Sequence, residues 1–307
     1  MKNVLISIGI PAYKSEYLGD AIQSVLKQTY SYWELIIVDD SSPNNIRGVI
    51  SNFHDSRIKY YRNKSNIGGG DPSKNWNVCL NYAKGEYFCL LCDDDLYEPE
   101  FLEEMLKLSQ KYQDCNVFRS RVKIIDSRKK DEEVDFYPSS PEWESCEDYI
   151  WHVGRNLRKQ TISDWMLRTG HIRKCRGYAN LPFAWGADYL SIYQFCINGG
   201  IASTTKSLVA YRRSKINIST MAEKNCKEKM LANKLFKESV NTLIETNGFS
   251  YKLKEEVIRH KDLADIYILS HVDFCRFCYF IKYRKKYNIS TKAFLKAVEG
   301  KLILLMQ

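Results

Sequence analysis

Glu34-Leu35-Ile36-Ile37-Val38-Asp39-Asp40-Ser41-Ser42 is an apolar run that stops abruptly on two carboxylates. It reads as a strand, Trp33 to Val38, whose carboxyl end carries Asp39 and Asp40. Working outward from it, strand-like and helix-like patterns alternate with short connections, the signature of a mainly parallel sheet flanked by helices. Upstream, Val4 to Ile10 is a strand run. Behind Ser15, a good helix N-cap, Tyr17, Leu18, Ala21, Ile22, Val25 and Leu26 recur on one helical face. Downstream, Ile58 to Tyr61 is a third strand and runs into a loop holding Gly68, Gly69 and Gly70. Pro72 suits a first helical turn, Trp76, Cys79, Leu80 and Ala83 share a side, and Gly85 closes that helix.

The pattern repeats in Tyr87 to Cys92, a strand that ends on Asp93, Asp94 and Asp95, followed by a helix over Pro99 to Tyr112 and a strand over Val117 to Ile125. Asp126 to Glu144 turns polar, with charge and proline, and reads as a surface excursion. Beyond Glu147 the pattern is irregular, although Trp151, Trp165 and Trp185 mark it as folded. Ser207 to Tyr211 is a last strand ahead of Arg212 and Arg213, and from about Met221 helical periodicity dominates. The expectation is an α/β protein: a Rossmann-like domain over residues 1–215 and a smaller helical region over 216–307.

Composition supports a folded globular chain. Of 307 residues, 44% are hydrophobic and 27% charged, which excludes disordered and fibrous classes. No run reaches the length of a membrane span and no signal peptide opens the chain, so a cytoplasmic address is expected. Lys and Arg number 46 against 37 Asp and Glu, a net +9 that favours anionic partners. The basic residues around Arg155, Arg158, Lys159, Arg173, Lys174 and Arg176 match no nucleic-acid reader motif, so no nucleic acid is expected as partner. Ten scattered cysteines read as reduced thiols. Cys89 and Cys92 have CxxC spacing but lie in a strand, where they face opposite sides of the sheet. Cys275 and Cys278 have no second Cys/His pair to complete a metal site.

Ligands of open α/β sheets bind outside the carboxyl ends of the strands. Three such ends carry unusual residues here: Asp39-Asp40, the Gly68 to Gly70 loop and Asp93-Asp94-Asp95. Crowded carboxylates repel one another, and a hard divalent cation, Mn²⁺ or Mg²⁺, relieves that repulsion and can stabilise a leaving diphosphate. Taken singly, Asp95 could shape a turn and Asp39-Asp40 could cap a helix. No GxGxxG and no glycine-rich phosphate loop follows the first strand, which disfavours dinucleotide and P-loop readings.

These residues resemble the family-two inverting glycosyltransferases of the GT-A fold. The resemblance runs through Ser7-Ile8-Gly9-Ile10-Pro11-Ala12-Tyr13, Ala21 to Tyr30, Glu34 to Ser42, Asn66-Ile67-Gly68, Lys84-Gly85-Glu86-Tyr87 and Asp93-Asp94-Asp95. It is dense over about the first 110 residues and thins beyond. It implies a nucleotide-sugar site lined by Pro11, Ala12 and Tyr13, with Asp39 on the base, Asp40 beside it, and Gly68 and Lys74 within reach of the nucleotide. Asp93-Asp94-Asp95 resembles a DxD motif, with Asp95 the direct metal ligand, Asp93 towards ribose or metal-bound water, and Asp94 between them. Trp185-Gly186-Ala187-Asp188-Tyr189 resembles the family's catalytic-base segment, although the usual Glu-Asp pair is Ala187-Asp188. Asp188 is thus the implied base and Asp164 the reserve. Arg212 and Arg213 resemble basic residues that relatives place near the diphosphate.

The implied reaction moves a sugar from a nucleotide-diphosphate sugar, UDP by family habit, to a hydroxyl of a glycan or lipid-linked acceptor in surface polysaccharide synthesis. Two alternatives stand beside it: a catalytically inactive sugar-nucleotide or glycan binding module, and a sugar-phosphate nucleotidyltransferase. In the C-terminal region Phe274, Phe277, Tyr279, Phe280, Ile281 and Tyr283 mix with Arg276, Lys282, Arg284, Lys285 and Lys286. That amphipathic stretch suits either a peripheral contact with the inner face of a membrane or packing against the core or a second subunit.

Overall fold

The computed structural model describes residues 4–126, 133–135, 139–213 and 225–305. The chain runs β1 (Ile6–Ala12), α1 (Leu18–Leu26), β2 (Trp33–Asp39), α2 (Ile46–Ile50), β3 (Ile58–Arg62), α3 (Ser73–Tyr82), β4 (Tyr87–Leu90), β5 (Leu96–Tyr97) and α4 (Phe101–Lys111). It continues through β6 (Val117–Asp126), β7 (Glu133–Asp135), β8 (Trp143–Glu144), α5 (Cys146–Gly154), β9 (Trp165–Arg168), α6 (Thr169–Lys174), α7 (Ala187–Phe195) and β10 (Ile201–Arg213). Four helices follow: α8 (Cys226–Thr246), α9 (Lys252–His271), α10 (Phe274–Lys282) and α11 (Thr291–Leu305).

The strands form one mixed sheet in the order β3-β2-β1-β4-β9-β6-β10-β5, with β7 on β6 and β8 on β10. From β3 to β4 every pairing is parallel, and β6 with β10 is parallel again. The short β9 joins the two parallel blocks by pairing antiparallel to both β4 and β6. Every residue of β2 is buried, and its side chains alternate between two cores. Leu35 and Ile37 pack with Ile6, Ile8 and Ile10 against α1 and α4, while Ile36 and Val38 pack with Phe88 and Leu90 against α3, α5 and α7.

Several boundaries differ from the sequence expectation for local reasons. The α1 N-cap is Tyr17 rather than Ser15, with no side-chain cap bond. Gly85 is not a left-handed helix stop, because the chain already turns extended at Ala83. Gly85 is instead a close approach: a Cβ there would stand 2.6 Å from Leu5 O and from Ser7 N, backbone atoms that cannot rotate aside. The last sheet strand is longer than read, beginning at Ile201, and residues 214–224, where the helical pattern was expected to begin, lie outside the described residues.

Helices α8 and α9 share a hydrophobic cluster with the sheet. Ala232, Phe236, Val240, Leu253 and Val257 join the core on the α3 face of the sheet. A smaller cluster of Phe277, Phe280, Tyr287, Ala293 and Ala297 carries α10 and α11 on Met230, Ile268 and Leu269. The basic residues of the middle segment are largely engaged within the fold: Arg155 on Glu256 at 2.8 Å, Arg158 on Glu144 at 3.4 Å, and Arg173 on the carbonyls of Leu80 and Ala83. Among the described residues no helix is long and apolar enough to cross a membrane.

Candidate functional site

Because β1 lies between β2 and β4, the carboxyl ends of these three strands open on one edge. Pro11 and Ala12 close β1 opposite Val38 and Asp39, and the ring of Tyr13 beyond them is 40% exposed, free to face a ligand. The loop that carries it is fixed from beneath. Asp93 accepts hydrogen bonds from the backbone N–H groups of Tyr13 and Lys14 at 2.8 and 2.7 Å, and Lys14 Nζ pairs with Asp94 at 2.9 Å. Burial works against the Lys14 charge, but the Asp94 and Asp93 carboxylates outweigh it and raise its pKa.

The pair Asp39 and Asp40 divides its work. Asp39 is fully buried and accepts from Ser42 N at 2.8 Å, from the Tyr60 hydroxyl at 2.8 Å and from Arg62. Asp40 accepts from Asn63 Nδ2, Ile67 N and Gly68 N at 2.7, 3.0 and 2.7 Å. Its carboxylate therefore shapes the glycine loop, and a Cβ at Gly68 would stand 2.7 Å from it. Lys74 lies on the exposed side of α3.

In the acidic turn after β4, Asp95 is 1% exposed and accepts from the Ser163 hydroxyl at 2.7 Å and from Arg212 N at 3.0 Å. Burial, then the Asp94 charge, push its pKa up to about 7, and burial likewise lifts Asp93 to about 6. One oxygen each of Asp94 and Asp95 and the Cys92 sulfur lie within 4.8 Å of one another. Hard carboxylate oxygens that are held together and destabilised as anions fit a divalent cation. Asp94 and Asp95 are the residues that would hold it. Asp93, expected towards ribose or metal-bound water, has one oxygen committed to two backbone N–H groups of the β1 loop.

Arg212 also braces this turn. Its guanidinium donates to Asp94 O at 3.0 Å and to Asp20 at 3.2 Å, and lies over the Tyr17 ring at 4.1 Å. It is spent on the turn rather than directed outward, while Arg213, exposed at the end of β10, borders residues outside the described set.

A turn of 3₁₀ helix at Ile162–Asp164 links the acidic edge to Asp188. Ser163 bonds Asp95, and Gln160 Nε2 donates to Asp188 Oδ2 at 3.3 Å. Asp188 sits in the first turn of α7, where the helix N-terminus favours a carboxylate, and burial raises its pKa. Ahead of it Phe183, Ala184 and Gly186 all have positive φ, a strained approach anchored by the 2.7 Å bond from Phe183 N to Gly70 O. The glycine loop and the Asp188 segment therefore meet. Asp164, the reserve base, is fully enclosed, accepts from Thr161 N through both oxygens at 3.1 Å, and lies 3.7 Å from Arg119.

Residues 7–216 match the family described as glycosyl transferase family 2. The chain belongs to that family. Its fold is similar to the GT-A domain of S. aureus TarS, solved as residues 1–349 in complex with UDP-GlcNAc: the TM-score is 0.63 at 16% identity, covering 96% of this chain and 89% of that one. An uncharacterized glycosyltransferase of Haemophilus influenzae is 24% identical over 279 residues, 88% of this chain and 81% of its own. The E. coli UDP-Glc:alpha-D-GlcNAc-diphosphoundecaprenol beta-1,3-glucosyltransferase WfgD is 38% identical over 112 residues, 36% of this chain. That match spans 43% of WfgD, less than half its length.

Proposed function

We propose that this family-2 chain is an inverting, metal-dependent glycosyltransferase acting at the cytoplasmic face of a membrane, transferring sugar from a UDP-sugar to a hydroxyl of a glycan or lipid-linked acceptor in surface polysaccharide synthesis. The observation that carries the reading is the meeting of Tyr13, Asp39 and the Asp94-Asp95 pair at one edge of the sheet, with Asp188 tied to that edge through Gln160 and Ser163. The names of WfgD and of the TarS complex, which carry UDP-Glc and UDP-GlcNAc, support the donor class.

In this reading Tyr13 faces the nucleoside, the buried Asp39 acts on it through the Ser42, Tyr60 and Arg62 groups that it holds, and Asp93 keeps the Tyr13 loop in register. Asp188 accepts the proton of the acceptor hydroxyl as its oxygen bonds to the anomeric carbon and the bond from that carbon to the diphosphate oxygen breaks. A single in-line displacement inverts the anomeric configuration. Asp94 and Asp95 would hold a divalent cation, whose charge would help to stabilise a leaving diphosphate.

Calorimetric titration with UDP, TDP, GDP and CDP, each with Mn²⁺ and with EDTA, is expected to show UDP binding that EDTA weakens at least about tenfold. Heat from none of the four would remove the donor-site reading and favour an inactive module. Joining of a sugar phosphate to a nucleoside triphosphate would favour a nucleotidyltransferase.

A lipid-linked acceptor fits the outer side of α10. Phe277 and Phe280 are packed inward, while Phe274, Ile281 and Tyr283 remain exposed beside Arg276, Lys282 and Lys286. Cationic residues flanking exposed aromatics favour an anionic surface. The full chain is expected to sediment with phosphatidylglycerol vesicles and to stay in the supernatant after Phe274→Asp plus Ile281→Asp. Equal sedimentation of the two proteins would remove the membrane contact.

A further inference from the structure

We infer that Lys261 is a positioning residue of the Asp188 site: its ammonium, brought in on α9, holds the Asp188 carboxylate in the charged form that accepts a proton. The inference rests on the reading of Asp188 as the base.

Lys261 is 3% exposed, and its ammonium has no hydrogen-bond or ion-pair acceptor among the described residues. It lies over the Phe236 ring, 3.8 Å from the centroid. It reaches the underside of the turn that presents Asp188: a Cβ at Gly186 would stand 2.6 Å from Lys261 Nζ and 3.3 Å from Phe236 Cδ2. The glycine suits this turn for its φ of 83°, and the amine lies against the face from which a side chain would project. A buried cation without a direct partner is costly, and a nearby carboxylate recovers part of that cost. The attraction is mutual: Asp188 and Asp265 act to keep Lys261 charged, while burial lowers its pKa to about 8.

The other charged groups around the pair are already engaged or neutral. Lys237 is ion-paired with Asp265 at 2.9 Å, and Arg119 is 3.7 Å from Asp164. His260, whose ring lies 5.4 Å from that of Tyr189, is driven down to about 3 by burial and by Lys261, and so is neutral at working pH. Tyr189 is pushed above its ordinary value by burial and stays protonated, and Lys229 faces the Trp185 ring at 4.6 Å. Burial raises Asp188 toward protonation; the backbone N–H of Tyr189, then the Lys261 charge and the Gln160 hydrogen bond, oppose it.

The sign of the effect follows. Removing the positive charge raises the Asp188 pKa, so a larger fraction of enzyme holds a protonated, inactive base at low pH. Lys261→Met and Lys261→Gln, one apolar and one hydrogen-bonding, are to be compared with wild type. UDP release from UDP-glucose and from UDP-N-acetylglucosamine is followed from pH 5 to 9 with Mn²⁺. The acid limb of turnover is expected to move up by about half a unit or more, a roughly threefold loss on that limb, with the plateau above pH 8 and the donor KM retained. A superimposable profile, or a loss equal at every pH, overturns the proposal. Failure of both variants to fold makes Lys261 a structural residue and overturns it as well. Asp188→Asn in the same assay separates the two readings: if it retains turnover, the base assignment fails; if it is inactive while the Lys261 profiles are unmoved, only the present inference fails.

Discussion

Turnover by an Asp95→Asn variant falls about 10²- to 10³-fold, the size of losing one electrostatic stabiliser of a developing anion. The substitution is chosen because it removes charge and little else. Asp95 accepts from Arg212 N through one oxygen and from the Ser163 hydroxyl through the other. An asparagine keeps the first bond, and Ser163 can turn its hydroxyl to accept from the new amide, so the turn after β4 keeps its shape. What is lost is the negative charge that, with Asp94, would hold a divalent cation. The measurement is UDP release from UDP-glucose and UDP-N-acetylglucosamine across a Mn²⁺ titration, with Mn²⁺ affinity read separately by electron paramagnetic resonance. Loss of activity with Mn²⁺ affinity intact would move the ligand role away from Asp95. Asp93→Ala is the comparison, because it releases the Tyr13 and Lys14 amides. That variant weakens UDP binding while leaving the Asp94-Asp95 oxygens in place.

The parts of the fold that were legible in the sequence are those where one physical demand dominates. Trp33 to Asp39 is buried along its whole length, so its apolar run admits little besides a central strand. The acidic residues at the ends of β2 and β4 stood out because carboxylates are out of place where an apolar run stops. Their division of labour was not legible. That Asp93 is given to two amides of the β1 loop, and Asp40 to Gly68, depends on which strands are neighbours, a property of the folded sheet alone.

The short β9 was missed for a related reason. Trp165 to Arg168 are only four residues, and their strand character comes from antiparallel pairing with β4 and β6. Lys261 left a fainter signal. Leu253, Val257, Lys261, Asp262, Asp265, Ile268 and Leu269 are the buried residues of α9, so three charged residues occupy positions where the helix period asks for apolar ones. A charged residue on the buried stripe of a helix marks either a partner across the core or a functional charge, and here Asp265 has the first role, with Lys237 and Asn233.

The second large effect is expected at Asp188. Asp188→Asn lowers turnover about 10²- to 10⁴-fold, the range for removal of a positioned general base, while UDP affinity stays within about twofold of wild type. The asymmetry follows from placement. Asp188 lies at the start of α7 and touches the strand-end carboxylates only through the intervening 160–164 segment, so its charge is not among those that would hold the nucleotide. An asparagine can still accept from Gln160 Nε2, which leaves the turn at Gly186 in place, but it cannot take a proton from an attacking hydroxyl. The split is read by pairing initial rates of UDP release with calorimetric UDP binding on the same preparation. Near-normal turnover would remove Asp188 as base. Asp164 would not inherit the role, because it is enclosed by Thr161 and Arg119 and has no exposed oxygen to offer an acceptor. Equal losses of turnover and of UDP affinity would instead make Asp188 a donor-site residue.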